Sequence, residues 1–448
     1  MAAYNMLPAA TASSLNPRPA VAAGGNCRWI ICALLFFATT INYIDRQILA
    51  LLKDTLDHEL HWSNEQFGMV NAVFQGAYGV GLLGFGWFVD RFGVKIGYAI
   101  SIAAWSLAAA GHGLVKTIQG FMTARICLGL AESGNFPSAI KATAQWFPKK
   151  ERAFATALFN SGANVGAIIA PATIPFIALW WGWRSAFVIA GLAGFIWLIA
   201  WWLFYELPER HKRVSASELA YIHSDTKEES KEKVPWLRLL KYRQTWSFVV
   251  GKFMTDPIWW FFLTWLPDYF QASRGVNIRK GWIYISSIYG ICTVLSIMGG
   301  WVTGYLNRRG WSITLARKTG MLFFALCVAP IFFVTKCGTW GAVGLIGLAA
   351  AAHQAWSANL FTTVSDMFPK KAVASVIGIG GMAGSAAGMF FPIFIGRLLD
   401  HFGKLHQSTA GYSILFSICG CAYLAAFLLN HLLAPRFVPM NLDTIPSP

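Results

Sequence analysis

Charged side chains are scarce in this 448-residue sequence, where Asp, Glu, Lys and Arg make up only 12% of the residues. A soluble chain of this length would carry about a quarter of its residues as charges, so the composition excludes an ordinary soluble protein. The sequence also lacks cysteine and histidine at metal-ligand spacing, and its eight cysteines lie mostly in apolar runs. We therefore expect buried small cysteine side chains, no bound metal and no cofactor.

We also find no nucleophile–base pair and no phosphate-binding loop, so the sequence does not indicate an enzyme. It has instead long apolar runs of about 20 residues, the length that a helix needs to cross a bilayer. We predict twelve such spans, near 29–52, 65–88, 95–115, 119–142, 152–177, 185–206, 245–268, 281–304, 314–335, 341–364, 373–397 and 411–433. The sequence therefore predicts an all-α polytopic membrane protein that lies in the lipid bilayer.

The net charge of +16 does not indicate nucleic-acid binding, because most of the basic residues fall in alternate connections between the spans. This positive-inside bias orients membrane proteins, and here it predicts that both termini are cytoplasmic. We expect residues 1–28 to form a disordered tail without a signal peptide, and 434–448 to form a second tail. The basic connection 207–244 would join two six-helix bundles, 29–206 and 245–433.

Two short motifs recur at nearly the same distance along the chain and indicate an internal repeat. The connection FPKK at 147–150 returns at 368–371, and DRFG at 90–93 is matched by NRRG at 307–310. Both distances are close to half the chain, so they predict two similar halves. Many transporters are built from such repeats and bind substrate between them near mid-membrane. Chance similarity of short basic loops is the alternative.

The connection between the second and third spans reads GWFVDRFGVK (86–95) and resembles the signature loop of the major facilitator superfamily. A carboxylate at a helix end can pair with a basic residue of a neighbouring helix, so we expect Asp90, Arg91 and Lys95 to take part in gating. Anchoring of the topology by these charges alone is the alternative. The fifth span departs from the Gly-Pro pattern of the drug/proton antiporters, which disfavours an efflux function.

Apart from Lys141, which lies at the inner end of its span, can extend to the interface and is assigned no chemistry, four charged residues lie inside the first and fourth spans, namely Asp45, Arg46, Arg125 and Glu132. Such residues cost about 2.5–3.5 kcal/mol each on insertion scales, so they are functional candidates. At about 1.5 Å per residue, Asp45 and Arg125 lie at a similar depth, roughly 10 Å from the outer edge. Glu132 follows Arg125 by nearly two turns, so both side chains face the same side.

These four groups suggest a site for an anion and a proton. Arg46 and Arg125 would bind a carboxylate, because each guanidinium offers a planar pair of donors. A substrate that competes for an arginine would free Glu132 or Asp45 to take up a proton, which couples the two events. The alternative is an ion-pair network, with Asp45 paired to Arg125, that only holds the spans together.

Further polar and aromatic residues at mid-membrane depth would complete a pocket for a polyhydroxylated ligand. They are Tyr43, Gln75, Tyr78, Asn160 and Asn164 in the first half, and Trp259, His353, Gln354, Trp356, Ser357 and Asn359 in the second. Each of them alone could equally bond a neighbouring helix. Lys252 and Asp256, spaced i, i+4, are expected to form a salt bridge rather than to contact substrate.

Several stretches resemble the anion:cation symporter family of the major facilitator superfamily, and within it the bacterial hexuronate transporters. They are NYIDRQ (42–47), ARICLGLAESGNFPSAIKATAQWFPKKERA (124–153), KFMTDPIWWFFLTWLPDYF (252–270), AHQAWSANLF (352–361) and SDMFPKKAVASVIGIGGMAGSAAG (365–388). The resemblance implies that Glu132 is the proton carrier and that Tyr78 contacts substrate. Thr255 stands where vesicular members carry an additional arginine, which disfavours glutamate transport.

The resemblance implies the major facilitator fold, with twelve transmembrane helices in two six-helix pseudo-symmetric halves. It also implies import of a hexuronate, such as galacturonate or glucuronate, with protons by alternating access. We expect a monomer in a bacterial inner membrane. Galactonate, glucarate or another organic anion, and sodium in place of protons, stay open as alternatives. Drug efflux and a sensor without transport are less favoured.

Overall fold

The computed structural model describes residues 25–224 and 235–440, and over these residues the chain is helical with short connections. Residues 1–24 of the first expected tail and 441–448 of the second lie outside the described residues. The same is true of 225–234 in the expected connection between the bundles. The predicted domain boundaries therefore stay predictions.

The first six predicted spans correspond to seven helices, and one further short helix was not predicted. Their bounds are α1 Cys27–Leu51, α2 Lys53–Leu60, α3 Asn64–Phe92, α4 Val94–Gly111, α5 Ile118–Glu132, α6 Asn135–Trp146, α7 Lys149–Trp181 and α8 Trp183–Phe204. Helices α5 and α6 share the fourth span and are separated by Ser133 and Gly134. The unpredicted helix is α2, whose polar sequence KDTLDHEL carries no apolar run.

The second half of the chain begins after two short helices, α9 Ala216–Ile222 and α10 Trp236–Leu239. Its helices are α11 Arg243–Arg274, α12 Ile278–Arg308, α13 Ile313–Val328, α14 Thr339–Met367, α15 Lys370–Lys404 and α16 Ser408–Leu433. A 3-10 segment, Ala329–Lys336, extends α13. Each of the twelve predicted spans thus overlaps one helix or one interrupted helix.

Eight helices in the described part of the chain are long and apolar enough to cross a membrane by length and composition. The remaining predicted spans are α5 with α6, α11, α12 and α14. Among these, α11 and α14 carry polar residues such as Lys252, Asp256 and His353. This arrangement agrees with the predicted fold class.

Helices α1 to α8 form an N-terminal bundle and α11 to α16 a C-terminal bundle, which meet where α3 packs against α15 and α7 against α12. A Cβ atom on Gly79 of α3 would lie 3.0 Å from Cβ of Ser385 of α15, so the helices are in close contact there. Further along α3, Cβ atoms on Gly84 and Gly86 would meet no atom of the described residues within 4 Å. The two helices therefore separate beyond Gly79.

We call the end that holds connections 52–63, 275–277 and 405–407 the sealed end. The opposite end, which holds the first and last described residues and the connection around α9 and α10, is the terminal end. The bundles are in contact along α3 and α15 at the sealed end, and these helices separate toward the terminal end.

Polar contacts join the two bundles at the sealed end. The carboxylate of Asp400 on α15 accepts hydrogen bonds from the backbone N–H groups of Asn64 and Glu65, each 2.9 Å long. Nζ of Lys53 lies 2.7 Å from Oδ1 of Asp268 on α11. The first turn of α3 is thus capped by a carboxylate of the other bundle, where the orphan amides of a helix start need an acceptor.

Candidate functional site

The charged residues predicted in the first and fourth spans come together inside the N-terminal bundle. Arg46 of α1 donates from Nε to Oε2 of Glu132 over 2.6 Å, and neither side chain is more than 5% exposed. Glu132 is the last residue of α5, immediately before the interruption at Ser133 and Gly134. The closest ion pair at the site therefore joins Arg46 to Glu132.

Close approach of α3 and α5 holds this part of the site together. A Cβ atom on Gly129 of α5 would lie 2.5 Å from the carbonyl oxygen of Phe74 and 3.1 Å from the backbone nitrogen of Tyr78. A larger residue at this position would push the helices apart, because backbone atoms cannot turn away. Gly129 thus allows residues of α3 to lie next to the α5 side chains.

Aromatic rings surround the guanidinium of Arg46 on several sides. Its Cζ atom lies 4.6 Å from the ring centroid of Tyr78 and 5.3 Å from those of Tyr43, Phe74 and Trp260. Cation–π attraction of this kind helps to offset the loss of hydration of a buried cation. Trp260 comes from α11, so the C-terminal bundle contributes directly to the surroundings of Arg46.

Arg125 of α5 is only 2% exposed, and its Cζ atom lies 5.5 Å from the ring centroid of Phe74. Its Nε and Nη2 atoms, and Nη2 of Arg46, have no hydrogen-bond partner among the described residues. Both arginines line a cavity between the bundles. The site therefore offers unsatisfied guanidinium donors where a carboxylate would find two positive charges.

The cavity measures about 20 Å³, room for little more than one water molecule. Its lining residues come from both bundles and are Arg46, Asn71, Phe74, Gln75, Arg125, Trp260, Leu263, Thr264 and Pro392. A sugar-sized ligand would need the helices to move apart. Of this lining, sequence reasoning found the two arginines and Gln75. It missed Phe74 and Trp260, because an aromatic residue in an apolar span carries no distinguishing pattern.

Asp45 is buried beside these groups at 2% exposure. Neither of its carboxylate oxygens has a hydrogen-bond partner among the described residues. It interacts electrostatically with Arg125, Arg46 and Glu132. The two carboxylates and the two guanidiniums thus make one cluster in which the formal charges balance.

The other predicted residues of the N-terminal bundle fall into two groups. Tyr43, Gln75 and Tyr78 are buried and lie at the cluster or line the cavity. Asn164 of α7 is only partly buried, and Asn160 is exposed. The structure therefore brings the residues of α1 and α3 to the site and does not show the two asparagines of α7 there.

Trp259, His353 and Trp356 belong to an aromatic cluster of the C-terminal bundle, and Trp259 also interacts with Tyr43 of the N-terminal bundle. The rings of Trp259 and His353 stack with centroids 5.3 Å apart and an angle of 8°. Nδ1 of His353 lies 2.5 Å from the hydroxyl oxygen of Tyr423, and the ring of Trp356 meets Tyr423 edge-on at 5.7 Å. None of the three predicted residues lines the cavity described above.

Asn359 and Lys252 also make their contacts within the C-terminal bundle. Nδ2 of Asn359 donates to the carbonyl oxygen of Ala355 over 2.9 Å, and its Oδ1 accepts from Arg317 over 3.5 Å. Nζ of Lys252 lies 2.7 Å from Oδ2 of Asp256. The expected salt bridge is present, whereas Asn359 lies in a contact between helices.

The three predicted gating residues lie at the terminal end, and two of them form ion pairs within the N-terminal bundle. Asp90 pairs with Lys141 of α6 over 2.8 Å, and Lys95 pairs with Glu206 over 2.8 Å. Arg91 is exposed. Sequence analysis assigned no chemistry to Lys141, because a lysine at a helix end can simply extend to the interface.

Comparison with known proteins identifies the family to which this chain belongs. The family model for the Major Facilitator Superfamily matches residues 35–392. The chain is 30% identical over 397 residues to the hexuronate transporter of Escherichia coli (strain K12), which covers 87% of this chain and 90% of that protein. It is also 30% identical over 401 residues to the probable galactarate/D-glucarate transporter of Bacillus subtilis (strain 168), covering 85% and 87% of the two chains.

Among solved structures, the D-xylose-proton symporter superposes with a TM-score of 0.71 at 16% sequence identity. The superposition covers 92% of this chain and 98% of that one. This similarity supports the predicted fold class of twelve transmembrane helices in two six-helix halves, which is thereby confirmed.

Proposed function

Because this chain belongs to the Major Facilitator Superfamily, we propose that it imports a sugar-acid anion together with protons by alternating access. A hexuronate such as galacturonate or glucuronate is the first candidate. The chain is a membrane transporter and not an enzyme. Relatives named for hexuronate, galactarate/D-glucarate, galacturonate and L-galactonate transport support a sugar acid as the substrate.

The observation that carries this proposal is the Arg46–Glu132 pair beside the unsatisfied donors of Arg125. A substrate carboxylate binds the two guanidiniums and displaces Glu132 from Arg46. Glu132 then lacks its counter-ion in a buried place, where a lone charge is costly, so it takes up a proton. The anion and the proton enter together, and the cluster keeps its charge balance.

The charge of the cluster favours a substrate with one carboxylate over an aldarate with two. Arg46 is already neutralised by Glu132, and Asp45 interacts with both guanidiniums. A second substrate carboxylate would therefore require a second proton, on Asp45. We propose Glu132 as the main proton carrier and Asp45 as a second one.

In the proposed site, the hydroxyl groups of the substrate bind Tyr43, Tyr78 and Gln75, which are buried at or beside the cavity. Trp259 already interacts with Tyr43, whereas His353, Trp356, Asn164 and Asn359 join the site only if the bundles move from the arrangement seen here. Drug efflux is less favoured, since two buried guanidiniums suit an anion better than an amphipathic cation.

We propose that the terminal end faces the cytoplasm of a bacterial cell, with the protein in the inner membrane. The positive-inside bias of the sequence supports this orientation. The sealed end then faces outward, and the structure corresponds to a state closed to the outside. We propose a gating role for Asp90, Arg91 and Lys95, which lie at the end that would open and close toward the cytoplasm.

The function is tested by the pH of a weakly buffered suspension of energy-depleted cells that express the protein. Addition of galacturonate without sodium should make the medium more alkaline, and Arg46→Ala should abolish the response. An unchanged pH with galacturonate, galactonate and glucarate would contradict proton symport of sugar acids. If uptake of the labelled sugar acid requires sodium, the coupling ion is sodium and not the proton.

A further inference from the structure

Lys252 and Asp256 form another largely buried pair of opposite charges, to which the transport mechanism above gives no role. Nζ and Oδ2 lie 2.7 Å apart, and the two side chains are 10% and 18% exposed. Nζ of Lys252 lies 4.7 Å from the ring centroid of Phe361 on α14. Gly384 of α15 packs directly against the Asp256 carboxylate. The pair therefore lies where α11, α14 and α15 meet.

The pair also lies on the face of α11 that leads into the cavity. Asp256 and Trp260 are i, i+4 neighbours and lie one turn apart on the helix, and Lys252 lies one turn before Asp256 in the same row, which rotates by about 40° at each step. Trp260 and Thr264 line the cavity. At about 1.5 Å per residue, Lys252 lies roughly 12 Å from Trp260 in the direction of the terminal end.

At this level the two bundles begin to separate. Gly79 of α3 is in close contact with Ser385, the neighbour of Gly384, whereas Cβ atoms on Gly84 and Gly86 would meet none of the described atoms within 4 Å. Lys252 and Asp256 thus lie at the point where the cavity would open toward the terminal end. A molecule that leaves the arginines in that direction passes this pair.

We propose that Lys252 is a second binding site for the substrate carboxylate, occupied between release from Arg46 and Arg125 and exit at the terminal end. This inference rests on the proposed transport of a sugar acid. The ammonium group of lysine is a compact, strongly hydrated charge, which suits a brief contact better than the planar guanidinium does. Asp256 competes with the substrate for Lys252 and re-forms the ion pair once the substrate has left. This competition prevents the substrate from staying bound to Lys252.

The two partners should therefore affect affinity in opposite directions at the terminal end. With labelled galacturonate, Lys252→Met should raise the half-saturation concentration about tenfold in inside-out vesicles, because a charge-assisted hydrogen bond is lost. In whole cells, where substrate meets the sealed end first, the change should be less than about twofold. Asp256→Asn should lower the half-saturation concentration in inside-out vesicles and slow net release.

Controls separate this role from a structural one. Lys336→Met removes an exposed lysine near the sealed end and should leave both measurements unchanged, while Lys252→Arg should retain most of the affinity. Equal losses on both sides of the membrane, or losses of the same sign for Lys252→Met and Asp256→Asn, would show that the pair only supports α11. Failure of the unaltered protein to transport galacturonate, galactonate and glucarate would instead contradict the proposed function, and this inference with it.

Discussion

Arg46 and Glu132, 86 residues apart in the sequence, are joined by a 2.6 Å hydrogen bond between two side chains that are almost inaccessible to solvent. Such a buried pair is a weak source of stability, because desolvation of the two charges offsets their attraction. Its value here is that a competing anion can open it. In the proposed mechanism, the pair couples the charge of the substrate to the protonation of Glu132.

Glu132→Gln should separate exchange from accumulation. The amide can still accept a hydrogen bond from Arg46, but it cannot take up a proton. We expect labelled galacturonate to exchange across proteoliposomes at a rate near that of the unaltered protein, whereas accumulation driven by a pH gradient is lost. Asp54→Asn is the control, because it neutralises a carboxylate at the sealed end whose side chain is 42% exposed. Full accumulation of galacturonate by Glu132→Gln would show that Glu132 does not carry the coupled proton.

Phe74→Leu should weaken substrate binding, since this ring lies beside both guanidiniums. Loss of the two cation–π contacts should cost about 1–2 kcal/mol, which corresponds to roughly a five- to thirtyfold rise in the half-saturation concentration. Phe74→Tyr should keep most of the affinity. Phe390→Leu, on an exposed surface, controls for the loss of ring volume, and an equal effect of both leucine variants would contradict the role of the ring.

Gly129→Ala should disturb the site although alanine suits a helix well. The added methyl group would lie 2.5 Å from the carbonyl oxygen of Phe74, so α5 must move away from α3. Overpacking of this kind costs about 1–3 kcal/mol, and we expect a lower unfolding temperature together with weaker transport. Gly290→Ala is the control, because its methyl group would meet no atom within 4 Å in the described part of the chain. Normal stability and transport of Gly129→Ala would mean that the helices adjust freely.

Asp400→Asn should favour the state that is open at the sealed end. It removes a charge that caps α3 from the other bundle, and hydrogen bonds to charged groups contribute about 1.5–3 kcal/mol. The measurement is the rate at which an impermeant maleimide alkylates Gln271→Cys, a position in the crevice beside Lys53 and Asp268. We expect a rate several times higher than with Asp400 intact, and an equal rate would show that the cap does not hold the end closed.

The helices and the main charged residues could be predicted from the sequence, but their pairing could not. Run length and depth placed Asp45 and Arg125 at a similar level, with Glu132 nearly two turns further along the fourth span. Depth along a helix does not tell which way a side chain points around it, so the Arg46–Glu132 pair was not foreseen. Asn359 shares its depth with the pocket but bonds Ala355 and Arg317 instead. The contacts of Asp400 were missed because they depend on how the two bundles meet.

The cap of α3 by Asp400 has a consequence for observing the transport cycle. The amide protons of Asn64 and Glu65 are held by a carboxylate that belongs to the other bundle, whereas the amide of Gln66 is held by Ser63 of its own segment. Separation of the bundles at the sealed end releases the first two protons to solvent and leaves the third protected. Hydrogen–deuterium exchange at three consecutive residues therefore reports the open fraction of the protein without a covalently attached probe.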